Sequence, residues 1–477
     1  MAMNLYKKIK LNFYDCVQNL SRLLDDLAYG RLLLCTQILI MTLAAFRRGW
    51  IYDELECLRS GWFVAQGMIP YVDFFQHHHP FLYYLLAPFG FFFSADQYLF
   101  WGRGISLGFC FLSLLYTYKL GLLVYDQLTA FLTVSFFLCW KMFAESGFEV
   151  RPDTPQIALA TAGTYYFFLF IKQRNQKKLL ISAFCYSLSF LFLQKSFMFP
   201  FFALLMLGYE WYYKQEKLSA ILLWAVGYAL PICLYWIFLI FQGHFWQYFV
   251  CNYLFNAEMA KSFTFARFMK MLVNEVFLPN AALWAFFFIG YSRSVTIPIR
   301  LLISILITGI ISMKIDGAHY WIVALPYFSL IGIQGMRFIF DHKTGYLILF
   351  LTFLSSVSFK HWVGNVSFGN YEQRVLLKHF RSLCSESEYC FGDDLVCNLR
   401  KGPGYFWHGD FWGDQKTYGR FLNNHNQKTI DILKNMPVFV QVGKIETSDE
   451  VDSYLKKHYK QFFFPGILIR KDCADGL

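Results

Sequence analysis

Charge is what this chain has least of. Only 16% of its 477 residues are charged, against about a quarter in soluble domains. That shortage, with 57% hydrophobic residues and a mean hydropathy of +0.38, speaks against a soluble globular protein. The 12 cysteines form no Cys-x-x-Cys pair and no zinc-ligand spacing, so those inside apolar runs read as small core residues. No P-loop, dinucleotide fingerprint or Gly-x-Ser-x-Gly elbow occurs. No internal repeat is evident, which weakens a transporter built from inverted halves.

What the chain has is hydrocarbon and aromatic surface: 21% aromatic residues, 56 of them Phe. The class this implies is an all-α polytopic membrane protein. A net charge of +11 then calls for basic loops on the cytoplasmic side rather than for nucleic acid. Residues 4–27 place Leu5, Ile9, Phe13, Val17, Leu20, Leu24 and Leu27 on one helical face, with Lys7, Lys8, Lys10 and Arg22 elsewhere. They read as an interfacial helix on the cytoplasmic leaflet, not a cleavable signal.

Apolar runs follow at 31–46, 81–94, 102–124, 127–143, 154–171, 179–194, 197–213, 218–241, 279–292, 299–313, 320–337 and 345–359. Several fall short of the ~20 residues that cross a bilayer, so charge and parity must decide. The basic tracts at Lys172 to Lys178, Lys214 and Lys217, Arg293 and Arg300, and Arg337 and Lys343 can all be cytoplasmic together. An odd number of crossings must then separate Lys172 from an outer loop at Asp53, yet four runs lie between them. The run broken by Pro88 and Gly90 is expected to be the juxtamembrane or re-entrant one. This leaves about eleven spanning helices, the N-terminus cytoplasmic and the C-terminus outside. Arg47 and Arg48 then sit outside, against the positive-inside tendency. The expected division is 1–29 interfacial helix, 30–359 transmembrane catalytic domain, and 360–477 a small α/β extracytoplasmic domain. In the last, a helix over 447–459 lies between strand-like 438–442 and 462–469, and Cys384, Cys390, Cys397 and Cys473 offer at least one disulfide.

The polar residues are few enough to be conspicuous. Residues 50–80 carry Asp53 and Glu54 just past an apolar run, a turn at 67–71, Asp73, then His77, His78 and His79 before Pro80. Acids beside a membrane-buried cavity are expensive to keep, so by default they act. The same topology brings Glu145 to Asp153, Gln194 to Ser196, Lys314 to Tyr320 and a long loop over 242–278, a possible lid, to the outer face. Such convergence is what a catalytic cavity requires. Arg103, Arg151, Lys195 and His319 are candidate phosphate contacts, or else snorkelling and structural ion-pair residues. Consecutive histidines point apart; His77 and His79 could chelate a divalent metal with Asp73 or Glu54, but His79 reads better as a hydrogen-bonding residue that shapes the pocket.

In order along the chain, Asp53-Glu54, Gly67-Met-Ile-Pro70-Tyr71-Val-Asp73 and His79-Pro80 resemble the GT-C superfamily of integral-membrane glycosyltransferases that use polyprenyl-phosphate sugars. The likeness is to protein O-mannosyltransferases, bacterial lipid A aminoarabinose transferases and rhizobial lipopolysaccharide galacturonic acid transferases. Arg151-Pro152-Asp153 is similar to the second acidic motif, and His319-Tyr320 with Pro326 to the late His-Tyr…Pro segment. Phe81 departs from the second proline many relatives carry. The resemblance covers roughly 30–340 and implies inverting transfer, with Asp53 as the base at the family's first-loop aspartate. Transfer of this kind needs a base near the acceptor hydroxyl and cations on the departing phosphate.

On that footing Asp53, Glu54 and Asp153 are the catalytic candidates. Arg103, Arg151, Lys195, His79, His319 and Tyr320 are the substrate-binding ones. Asp53 could instead cap the helix after it, Glu54 could face solvent, and Asp153 could cap the helix from Thr154 or orient Arg151. The expected partners are a polyprenyl-phosphate-linked sugar, a glycan, lipid or protein acceptor, and the bilayer, with no nucleic acid. No redox cofactor is needed and no essential metal is expected. The expected membrane is the bacterial inner one. A lipid or polysaccharide transporter and a non-catalytic envelope scaffold are the alternatives; transport would favour charges near the bilayer midplane, whereas here the acids lie at loop edges.

Overall fold

The computed structural model describes residues 26–364 except 215, 262–263, 294–296, 313–316 and 341–343. Beyond 364 it describes 371, 373–375, 390–391, 405, 429–441, 448–461 and 467–474. The lysines of the N-terminal stretch, Lys314, Asp316, Cys384 and Cys397 therefore lie outside the described residues.

The chain is an assembly of helices. In order these are α1 (Asp26–Arg47), α2 (Tyr52–Ala65), α3 (Phe81–Phe92), α4 (Ala95–Val124), α5 (Gln127–Leu138), α6 (Lys141–Ser146), α7 (Asp153–Gln173) and α8 (Gln176–Phe192). A 3-10 turn, Gln194–Phe197, leads into α9 (Met198–Lys214) and α10 (Leu218–Phe241). Short helices α11 (Phe245–Phe249), α12 (Phe255–Lys261) and α13 (Phe265–Met271) precede α14 (Ala281–Arg293), α15 (Ile297–Ser312), α16 (Leu325–Ile339) and α17 (Thr344–Gly364).

Among the described residues, five stretches are long and apolar enough to cross a membrane: Ala28–Arg47, Gln97–Val124, Leu218–Phe241, Phe265–Ser292 and Ala318–Ile339. Helix α10 leaves Leu222, Val226, Leu230, Leu234 and Phe238 exposed, a continuous apolar face of the kind that lipid covers. Helices α3 and α5 have 12 residues each and rise ~18 Å, short of a ~30 Å hydrocarbon core.

Two runs differ from expectation for local reasons. The run 127–143 breaks at Trp140, whose backbone is extended (φ −68°, ψ 123°); its indole Nε1 donates to Ser329 Oγ at 3.1 Å. The next amide, Lys141 N, is satisfied by Asn280 Oδ1 at 2.8 Å. The presumed loop over 242–278 is instead helical, with π-helical turns at Val250–Leu254 and Leu272–Phe277. Its aromatic and aliphatic residues Tyr248, Val250, Phe255 and Phe268 are buried, so it is wall rather than lid.

Small residues let the helices approach closely. A Cβ on Gly335 would lie 1.9 Å from Phe286 O, and one on Gly290 would lie 2.1 Å from Ile331 O, so α14 and α16 meet backbone to backbone. In the C-terminal region four strands pair in the order β1 (Cys390–Phe391), β2 (Phe439–Gln441), β4 (Ile467–Arg470), β3 (Tyr459–Gln461). The β1–β2 pair is parallel and the others antiparallel. The expected helix runs over Asp449–His458, capped by Ser448 Oγ accepting from Val451 N. Cys390 is disulfide-bonded.

Candidate active site

Four turns build the site: the start of α2, the segment between α6 and α7, the 3-10 turn before α9, and the 3-10 turn Ala318–Ala324. Pro152 sets the entry to α7 with φ −65° and makes no side-chain cap, so Asp153 is not a capping residue. It lies in the first turn, where the helix dipole favours an anion. Asp53 is likewise no cap, because Ile51 holds that position in α2.

Arg151 gathers the acids. Its Nη1 pairs with Asp53 Oδ2, its Nε lies 3.4 Å from Asp153 Oδ2, and Glu149 Oε2 is 3.8 Å from Nη1. Nη2 makes no hydrogen bond among the described residues, which leaves one donor for a ligand. The Asp53 side chain is 39% exposed, the most open of this group. Glu149 also binds Arg48 Nη1 at 3.1 Å.

Lys195 completes the cluster. Its Nζ sits 3.1 Å from the centre of the Tyr320 ring, a cation–π contact. Burial pushes the ammonium down to about 7, with Asp153 opposing that shift and Arg151 adding to it. The turn that carries it is held by a 2.7 Å hydroxyl pair, Ser189 with Ser196. The His319 ring lies 3.9 Å from that of Tyr320, tilted by 50°, and among the described residues its Nε2 has no hydrogen-bond partner.

Asp153, Lys195 and Tyr320 border a small pocket with Gln156, Met198, Ile310 and Val323. Met198 also lines a larger neighbouring groove, together with Phe197, Phe201, Ser304, Ile305, Thr308 and Gly309. A Cβ on Gly309 would lie 2.1 Å from Met198 Sδ, so glycine there lets the thioether seat between pocket and groove.

Three expected site residues lie elsewhere. Arg103 donates from Nε to Glu54 Oε1 at 2.9 Å and from Nη2 to Oε2 at 2.7 Å. Its remaining hydrogens go to the carbonyls of Ala45, Arg48 and Gly49, so none is left for a phosphate. Glu54 also accepts from the Val150 and Ile51 amides, and both side chains are 0% exposed. They brace α2 against α4 rather than face the pocket. His79 packs instead beside Tyr248 and Tyr253, whose hydroxyls lie 3.2 and 3.5 Å from its Nε2. Burial pushes His79 down to about 3, so its imidazole is neutral.

The histidine loop itself is tightly pinned. Tyr71 adopts a left-handed backbone (φ 69°), unusual for a bulky residue and unfavourable by ~1–2 kcal/mol. Its hydroxyl donates to His78 O at 2.6 Å, and its carbonyl accepts from Tyr405 Oη at 2.9 Å. Phe75 N donates to Tyr405 O at 2.9 Å. Tyr71, Phe75, Tyr405, Val440 and Leu455 share one core cluster, so the C-terminal sheet and this loop pack as one body. His78 faces the charged cluster: burial, then the charges of His77, Lys195 and Arg151, hold its imidazole well below the usual range. Among the described residues no three His, Cys, Asp or Glu side chains group as metal ligands.

No family model and no curated protein matches this sequence. Solved structures do match its fold. ArnT from Cupriavidus metallidurans, crystallised bound to undecaprenyl phosphate, is 11% identical over 89% of this chain and 90% of that one, with a TM-score of 0.61. The oligosaccharyltransferase of Archaeoglobus fulgidus in its apo form is 12% identical over 84% of this chain and 69% of that one, with a TM-score of 0.54. The chain has the GT-C fold. Within that GT-C framework it is an integral membrane protein. The structure brings Asp53, Arg151, Asp153, Lys195, His319 and Tyr320 together and sequesters Glu54, Arg103 and His79. Gln156 and Met198 border the pocket without having been foreseen, because an amide and a thioether inside an apolar run look like ordinary core.

Proposed function

We propose that this chain is an inverting glycosyltransferase that moves a sugar from a polyprenyl-phosphate carrier to an acceptor hydroxyl. One observation carries this: the charged pocket and the apolar groove adjoin through Met198, giving neighbouring places to a phosphate head and a hydrocarbon tail. ArnT, of the same fold, was crystallised with undecaprenyl phosphate, which supports a carrier of that chemistry. The acceptor is a glycan, lipopolysaccharide or protein on the outer face of a bacterial inner membrane, with the N-terminus cytoplasmic, residues 30–359 catalytic and residues 360–477 extracytoplasmic.

In this mechanism Asp53 accepts the proton of the acceptor hydroxyl as its oxygen attacks the anomeric carbon. The bond from that carbon to the phosphate oxygen breaks, and the electron pair leaves with the phosphate. A single displacement inverts the centre. Arg151 holds Asp53 and Asp153 in place, offers Nη2 to the developing charge, and shares that charge with Lys195. No step requires a redox cofactor, and we expect no essential metal.

Asp53→Asn tests the assignment. Purified protein in nanodiscs, given a panel of synthetic polyprenyl-phosphate sugars, should lose transfer by roughly a hundredfold or more, with an unchanged melting temperature. Transfer at the wild-type rate would remove Asp53 as the base, and a transporter or scaffold would be indifferent to the substitution.

A further inference from the structure

Gln156 follows Asp153 by three residues, so the two share a face of α7, and both border the pocket. The glutamine is only 2% exposed, yet among the described residues its Nε2 has no hydrogen-bond partner. Buried amides are seldom left so, because an unmade bond there destabilises the fold. The pocket wall offers little to satisfy it. Met198, Ile310 and Val323 are apolar, Lys195 is another donor, Asp153 is drawn to Arg151, and Tyr320 turns its ring face to Lys195.

Its place within the pocket indicates the missing acceptor. Met198 and Ile310 form the side that passes into the groove at Gly309 and Thr308. On the reading proposed above, which this inference rests on, the atoms at that junction are those joining carrier chain to sugar. Among them the non-bridging phosphate oxygens are the strong acceptors.

We propose that Gln156 is a binding residue for the carrier phosphate, its Nε2 donating to a non-bridging oxygen while Lys195 supplies the charge. A neutral amide grips substrate and released carrier alike. Its removal therefore raises KM and leaves kcat nearly unchanged.

The test is binding of undecaprenyl phosphate and of undecaprenol to the full-length protein in nanodiscs. Gln156→Met keeps the length of the side chain and deletes the amide. It should weaken undecaprenyl phosphate about tenfold, leave undecaprenol unchanged, and hold or raise the melting temperature of the ligand-free protein. Gln156→Glu, which sets an anion against the phosphate, should weaken it further. Unchanged phosphate affinity in Gln156→Met, equal losses for both lipids, or a lower melting temperature would each overturn the assignment. Wild-type protein that fails to prefer undecaprenyl phosphate over undecaprenol would overturn the glycosyltransfer reading as well; a wild type that prefers it, beside an unaffected variant, sinks Gln156 alone.

Discussion

Arg103 and Glu54 saturate one another. One guanidinium edge, Nε with Nη2, and both carboxylate oxygens are engaged at 2.7–2.9 Å, and the leftover hydrogens and lone pairs go to backbone groups of the α1–α2 junction and Val150. The pair thus fixes the floor on which Asp53 stands.

Arg103→Met on its own should strand a buried carboxylate and destabilise the protein by about 3–5 kcal/mol. It should be read as a lower melting temperature and a poorer yield in detergent. Combining it with Glu54→Gln should recover much of that loss. A single variant as stable as wild type would show that the pair bears no structural burden.

Lys195 sets a pH dependence. With its ammonium pushed down to about 7 by burial, it is charged below that pH and neutral above it, although the Tyr320 ring face favours the cation. Affinity for undecaprenyl phosphate should therefore fall as pH rises from 6 to 8.5, and Lys195→Arg should flatten the profile. Stability of the ligand-free protein runs the other way. Between about 7 and the ordinary lysine value near 10.4, the unfolded chain holds the extra proton, so stability increases with pH across that window. A flat binding profile in the wild type would refute this role.

Filling the groove should discriminate by chain length. Thr308→Trp places an indole where a polyprenyl tail would run. It should weaken undecaprenyl phosphate roughly tenfold or more through lost apolar contact, while a short geranyl phosphate is barely affected. Equal losses for both would place the tail elsewhere.

Tyr405→Phe removes the hydroxyl that holds the Tyr71 carbonyl but keeps the ring and the backbone bond to Phe75. Hydrogen exchange over residues 69–79 should accelerate roughly fivefold, with the transmembrane helices unchanged. Protection equal to wild type would show that the left-handed turn at Tyr71 stands without help from the C-terminal region.

Much of this was legible because charge is scarce. Asp53, Arg151, Asp153 and Lys195 stand out in hydrocarbon, and the parity of basic loops assigned them to one side, where the structure brings them together. The same signal misled at Glu54 and Arg103, since sequence does not disclose that two charges cancel each other. The stretch 242–278 looked like loop because its apolar residues keep no steady 3.6-residue period; two π-helical turns shift the phase. His79 was misplaced because its position beside Pro80 says nothing of Tyr248, which lies 169 residues away. Gln156 had no chance of notice, because only the shape of the pocket distinguishes it from core.

The groove beside Met198 has Phe197 and Phe201 about half exposed on its flank. On the proposed function, a carrier entering there arrives from the leaflet and not from water. Its supply is set by its mole fraction among the lipids and by diffusion in two dimensions, so diluting the membrane with inert lipid would starve the site while every aqueous concentration stayed constant.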